Sequence, residues 1–143
     1  MFYTTISMGT IALAMLAGSA AVVTSDDSPH AAHMKKCATT CSACAVECDE
    51  CFHHCASLVS DGKKEHSACM HLCVDCADCC RLCATFCARQ STMSAHAAEC
   101  CAKCCDDCAA ACEKIADDKQ MAACAKTCRA CAKECREMAK MAK

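Results

Sequence analysis

Cys37, Cys41, Cys44, Cys48, Cys51 and Cys55 follow one another at steps of three and four residues, in a chain where 23 of 143 residues are cysteine. Three further sets continue the pattern: Cys69, Cys73, Cys76, Cys79, Cys80, Cys83 and Cys87; Cys100, Cys101, Cys104, Cys105, Cys108 and Cys112; and Cys124, Cys128, Cys131 and Cys135. On a helix, cysteines at i and i+4 have Cβ atoms roughly 5–6 Å apart, whereas a disulfide wants about 3.5–4.5 Å. Such pairs do not readily crosslink within their own helix, but a metal ion spans the gap. Soft thiolates select Cu(I), zinc or iron–sulfur clusters.

Geometry separates these candidates. Structural zinc wants four tetrahedral ligands, usually from short-spaced loops that fold around the ion. Rigid helices offer two sulfurs at a time, which suits Cu(I), a d¹⁰ ion content with two near-linear thiolates. At about one ion per thiolate the filled interior is close to neutral, because each bound sulfur has lost its proton. The expected function is therefore high-capacity Cu(I) binding and storage, many ions per chain, supplying or detoxifying copper. The alternatives are a metallothionein-like zinc or mixed-metal thiolate buffer, and an oxidised structural bundle favoured by an exporting, disulfide-permitting compartment. The odd cysteine total and the helical spacing count against the last.

The elements that must position these thiols follow from the same spacing. At 100° per residue the first six cysteines fall in a stripe roughly 80° wide. In the second set Cys79 lies off the centre, and the third set is broader, about 140°, so that it faces two neighbours. Four helices with a shared sulfur interior give an all-α, antiparallel up-down-up-down four-helix bundle with a Cys-lined core. The first helix is expected over about residues 30–58, stopped by Ser60-Asp61-Gly62 with Gly62 as a left-handed cap. The second covers about residues 65–89. The third runs from the Ser91-Thr92-Met93-Ser94 segment to near Ala116, and Asp117 with Gln120 opens the fourth as a capping box. Three Phe, one Tyr and no Trp are too few for an aromatic core, so bound ions should supply much of the stability.

Other functional classes find little support. A net charge of −2 with dispersed Lys and Arg gives no basic stripe for nucleic acid, and no segment after the N-terminus reads as spanning a membrane. Glu50 and His53 form a single E-x-x-H without the second copy that a di-iron bundle needs, and both point away from the cysteine stripe, so no enzyme is expected. Met34, Met93, Met121 and Met138 lie near the cysteine stripes, and core-end packing is favoured for them over copper ligation. Residues 6–23 are apolar and Ala-rich and lead into Thr24-Ser25-Asp26-Asp27-Ser28-Pro29. They resemble an export signal cleaved near Ala20 or Ala21, although no Lys or Arg precedes them; an uncleaved anchor and an amphipathic tail are the other readings. This divides the chain into a signal and short linker at 1–28 and a Cys-rich copper-binding domain at 29–143. The location is periplasmic or otherwise non-cytosolic if the signal functions, and cytoplasmic if it does not.

Residues 37–143 resemble the bacterial copper storage proteins, above all in Cys51-Phe52-His53-His54-Cys55, in Cys100-Cys101-Ala102-Lys103-Cys104, and in Cys124-Ala125-Lys126-Thr127-Cys128-Arg129-Ala130-Cys131-Ala132-Lys133-Glu134-Cys135. Exported members look closest. The resemblance implies a non-enzymatic homotetramer, filled with Cu(I) through one open end where His and Met supplement the thiolates, and dealing with a copper chaperone or cuproenzyme as recipient. His54 matches the family's mouth histidine, and Leu58 stands where a methionine is expected. His66 occupies the place of a mouth methionine in exported members. The end carrying His54, His66 and Met70 is accordingly expected to be the mouth.

Overall fold

The computed structural model describes residues 28–115 and 117–141. The export signal expected at the N-terminus lies outside these residues, as does the short linker after it apart from Ser28. Helices α1 (Pro29–Ser60), α2 (Ser67–Ala88), α3 (Ser94–Cys112) and α4 (Lys119–Lys140) are joined by short links, with a 3₁₀ turn at Lys64–His66 before α2. There is no strand among the described residues. None of the described helices is long and apolar enough to cross a membrane.

Local chemistry sets the helix ends. Ser28 caps α1 by accepting from the Ala31 amide at 3.1 Å, and Pro29 follows at the first helical position, where its missing N–H costs nothing. At the far end the Gly62 amide donates to the Val59 carbonyl at 3.0 Å and the Lys63 amide to the Leu58 carbonyl at 2.9 Å. This Schellman closure needs a left-handed residue, and Gly62 supplies it with φ +88°. Helix α2 closes in the same way: Gln90 donates to Cys87 at 3.1 Å and Ser91 to Phe86 at 3.0 Å. Its left-handed position is Gln90, at φ 51°.

Three expected boundaries need correction. The second helix begins as a 3₁₀ turn and becomes α-helical only at Ser67, and the third ends at Cys112 instead of near Ala116. The cap of α4 is Asp118, not Asp117: the Asp118 carboxylate accepts from the amides of Gln120 at 2.9 Å and Met121 at 3.2 Å. Gln120 makes no capping box. Its side-chain amide donates to Glu47 on α1 at 2.9 Å, which ties the start of α4 to α1.

The helices form a ring in which α1 and α3 each pack against α2 and α4, and the diagonal backbones stay apart. Cys37 at the start of α1 lies beside Cys83 near the end of α2 and Cys135 near the end of α4, so neighbours run antiparallel. Surface ion pairs fix the register. Arg129 on α4 holds Glu113 at 2.7 Å and Asp106 at 2.9 Å, and Arg81 on α2 pairs with Asp49 on α1. Exposed pairs of this kind contribute about 0–1 kcal/mol each, so they orient more than they stabilise. The largest wholly buried side chains are Met121 and Met138, followed by cysteines. Alanines such as Ala98, Ala109 and Ala132 fill the helix contacts, which brings the four backbones close enough for sulfurs to meet across the middle.

Candidate metal centre

Twenty of the 23 cysteines are buried, and all 23 are free thiols. Along the bundle axis their sulfurs form successive quartets whose members lie within 4.8 Å of one another. Starting from the end that holds the N-terminus of α1, these include Cys37/Cys41/Cys83/Cys135, Cys41/Cys101/Cys131/Cys135, Cys44/Cys76/Cys80/Cys105, Cys44/Cys48/Cys76/Cys128 and Cys48/Cys108/Cys124/Cys128. Most neighbouring quartets share two sulfurs. Where the second and third share none, Cys80 bridges them, at 3.5 Å from Cys101 and 3.7 Å from Cys105. Diagonal contacts close the middle, with Cys41 at 4.0 Å from Cys101 and Cys80 at 3.9 Å from Cys131. Metal–thiolate bonds of about 2.3 Å place two sulfurs facing across an ion about 4.6 Å apart, so these gaps need to open by only a few tenths of an ångström to about 1 Å.

The core thiols hydrogen-bond to one another. Cys135 and Cys41 hydrogen-bond to Cys37 and lower its pKa to about 5; Cys105, helped by Cys128, lowers that of Cys76 to about 7. Their neighbours are driven the other way. Contact with Cys101 and Cys131 pushes the Cys41 thiol far up, and contact with Cys101 does the same for Cys80. Thiols drawn down therefore alternate with thiols pushed up along the ladder, because charges crowded into a low-dielectric interior cannot all form together.

At the end formed by the close of α1 and the starts of α2 and α4, the ladder passes from Cys73 to Cys69 at 3.7 Å, and Cys69 lies 2.9 Å from Cys112. It then reaches Met121. The thiols of Cys51, Cys55 and Cys69 donate to the Met121 Sδ at 3.7, 3.5 and 4.0 Å. His54 Nε2 lies 2.7 Å from Asp118 Oδ2, and His66 Nε2 lies 3.9 Å from the same oxygen. His66 is only 4% exposed, and its Nδ1 makes no hydrogen bond. Burial pushes the Asp118 carboxyl up, but the His54 contact and the Met121 and Gln120 amides more than offset it and leave the pKa below the usual value.

Sequence reasoning brought His54 and His66 to this end, and there they meet over one carboxylate. Met70 is partly buried and packs against the core. Met121 is what that reasoning passed over in favour of packing; its position three residues before Cys124, in step with the cysteine stripe, was the available signal. Met34 and Met138 are buried at the opposite end, as core-end residues should be. Met93 is not: it is 50% exposed. The largest correction concerns Cys79, Cys100 and Cys104, which lie outside the core on the α2–α3 flank.

An antiparallel bundle whose interior is a ladder of free thiols, with Met121 in contact with three of them and His54 and His66 meeting over Asp118 beside it, defines a class of metal-holding proteins. The family model described as "Csp: Copper storage protein" matches residues 20–140. A solved structure described as "Cu(I)-bound Copper Storage Protein BsCsp3" aligns with a TM-score of 0.69 at 33% identity, covering 75% of this chain and 98% of that one. The comparison with curated proteins found no match. The chain belongs to the copper storage protein family.

Proposed function

We propose that this protein stores Cu(I) along the bundle axis, at about one ion per core thiolate, to supply or detoxify copper. The observation that carries this is the sharing of sulfurs between quartets in an interior that buries no Lys or Arg among the described residues. Separate zinc tetrathiolates would each bring two negative charges into that interior, and buried charge without a partner is strongly unfavourable. One Cu(I) per thiolate brings none. Overlapping quartets also let an ion move by exchanging one sulfur at a time.

Copper enters at the end where His54, His66 and Met121 surround the last thiols, with Met70 beside them. The Nδ1 of His66, which makes no hydrogen bond and lies 3.7 Å from the Glu65 carboxylate, is a nitrogen donor at this end. The protein acts as a store and not as a catalyst; Glu50 and His53, its one E-x-x-H pair, are exposed. Residues 1–28 serve as export signal and linker, residues 29–143 as the store, and the assembly is a homotetramer that hands copper to a chaperone or cuproenzyme. The last points rest on the family resemblance.

Anaerobic titration with Cu(I) against a competing chelator, followed by a metal count, tests the central claim. Uptake of about 20 ions per chain is expected, with bound zinc displaced. Zinc that survives copper competition would favour the mixed-metal buffer instead.

A further inference from the structure

Three Cys-Cys dipeptides face one another across α2 and α3: Cys79-Cys80, Cys100-Cys101 and Cys104-Cys105. Adjacent residues on a helix point about 100° apart, so each dipeptide sends its two sulfurs in different directions. The second members form a core triangle: Cys80 lies 3.5 Å from Cys101 and 3.7 Å from Cys105, and those two are 3.9 Å apart. The first members gather on the outer flank. Cys79 lies 3.0 Å from Cys104 and 4.0 Å from Cys100, with Cys79 and Cys104 half-buried and Cys100 exposed.

The flank group has features that packing alone does not require. A thiol turned towards water adds little burial energy, yet three of them converge from two helices, with Cys79 within 4.0 Å of both Cys100 and Cys104. Further soft donors share the same stripe of α3. Met93, His96, Cys100 and Cys104 fall within about 80° of one another at 100° per residue, so a thioether, an imidazole and two thiols run from the open start of α3 to the triangle. Met93, His96 and Cys100 are all exposed.

We propose that Cys79, Cys100 and Cys104 form a separate, solvent-facing Cu(I) site of three thiolates, through which copper exchanges directly with thiol ligands in solution. The proposal rests on the copper-storage reading for the identity of the ion. As each thiol loses its proton and bonds to Cu(I), a bond from copper to the incoming donor breaks, and the proton passes to that departing sulfur or to solvent. The copper stays monovalent and no electron moves. The site differs from the axial mouth in position and in donors, and it lies one residue from the core triangle on both helices.

The test compares the wild-type chain with C79A/C100A/C104A and with the single variant C100A, whose exposed side chain leaves the fold least disturbed. Each is loaded anaerobically with Cu(I) and mixed with excess bathocuproine disulfonate while release is followed by absorbance. The wild type should release about one ion per chain at least tenfold faster than the rest; C79A/C100A/C104A should lose that phase and about one ion of capacity, and C100A, which keeps the Cys79/Cys104 pair, should hold the ion but release it more slowly. A fast phase of unchanged size in the triple variant would overturn the proposal. So would a wild type that stores many ions without any fast phase, or a Cys79–Cys104 disulfide found by peptide mapping in the copper-loaded protein. A wild type that holds only about one ion, lost in the triple variant, would keep the flank site and defeat the storage reading.

Discussion

Met121 places a thioether within 3.5–4.0 Å of three thiols at the end that holds His54 and His66, and no other buried methionine among the described residues is so placed. Its replacement by Leu keeps the volume and should cost less than about 1.5 kcal/mol. Capacity should stay within about one ion while Cu(I) uptake, followed by stopped-flow, slows several-fold. Asp118 does two things at once, capping α4 and holding His54. Asn at this position keeps the cap and removes the charge, whereas Ala removes both. Urea melts of the metal-free protein should therefore show a loss of about 1 kcal/mol for D118A and much less for D118N. The Asp118 carboxyl titrates below its usual range, so its stabilisation is complete above the unfolded value and fades as pH falls through the folded one. The choice between Asp117 and Asp118 could not be read from the chain. Two adjacent aspartates satisfy the same capping rule, and only the path of the α3–α4 link decides which meets the free amides.

The helices themselves were legible, because a three-four rhythm of cysteine leaves no other regular structure that buries them together. The start of α2 was less so: residues 64–66 wind into a 3₁₀ turn that carries His66 inward, and nothing in Lys64-Glu65-His66 announces it. The flank triangle was half visible. The third stripe is broad, but breadth alone does not separate a second core neighbour from an outward group. Gln90 shows where a closure of the right form holds the wrong residue. A side chain at φ 51° costs about 1–2 kcal/mol relative to glycine, of which the extra flexibility of glycine in the unfolded chain takes back roughly half. Gln90→Gly should stabilise the metal-free protein by about 0.5–1 kcal/mol, seen as a rise of a few degrees in its melting temperature.

For the molecule as a whole, an interior of cysteine and alanine buries few large side chains, so ligand binding should dominate stability. Copper-loaded protein should melt far above the metal-free form at pH 7, because ions that bind only the folded state shift the equilibrium towards it. Acid narrows the difference. Sulfurs such as Cys41, whose thiol is pushed up, release a proton for each ion they accept, and sulfurs whose neighbours draw the pKa down, such as Cys37, release fewer. Averaged over the ladder, affinity should fall by somewhat less than tenfold per pH unit, and the melting gap measured at pH 5 should be clearly smaller than at pH 7.

Quartets that overlap have a statistical consequence. When the interior is partly filled, the same number of ions can be arranged over the sulfurs in very many ways of similar energy, and this multiplicity is greatest near half occupancy. Configurational entropy then favours the first ions and penalises the last, so filling should spread over a broad range of free copper. A store built this way acts as a graded buffer, with no single threshold at which it turns from empty to full.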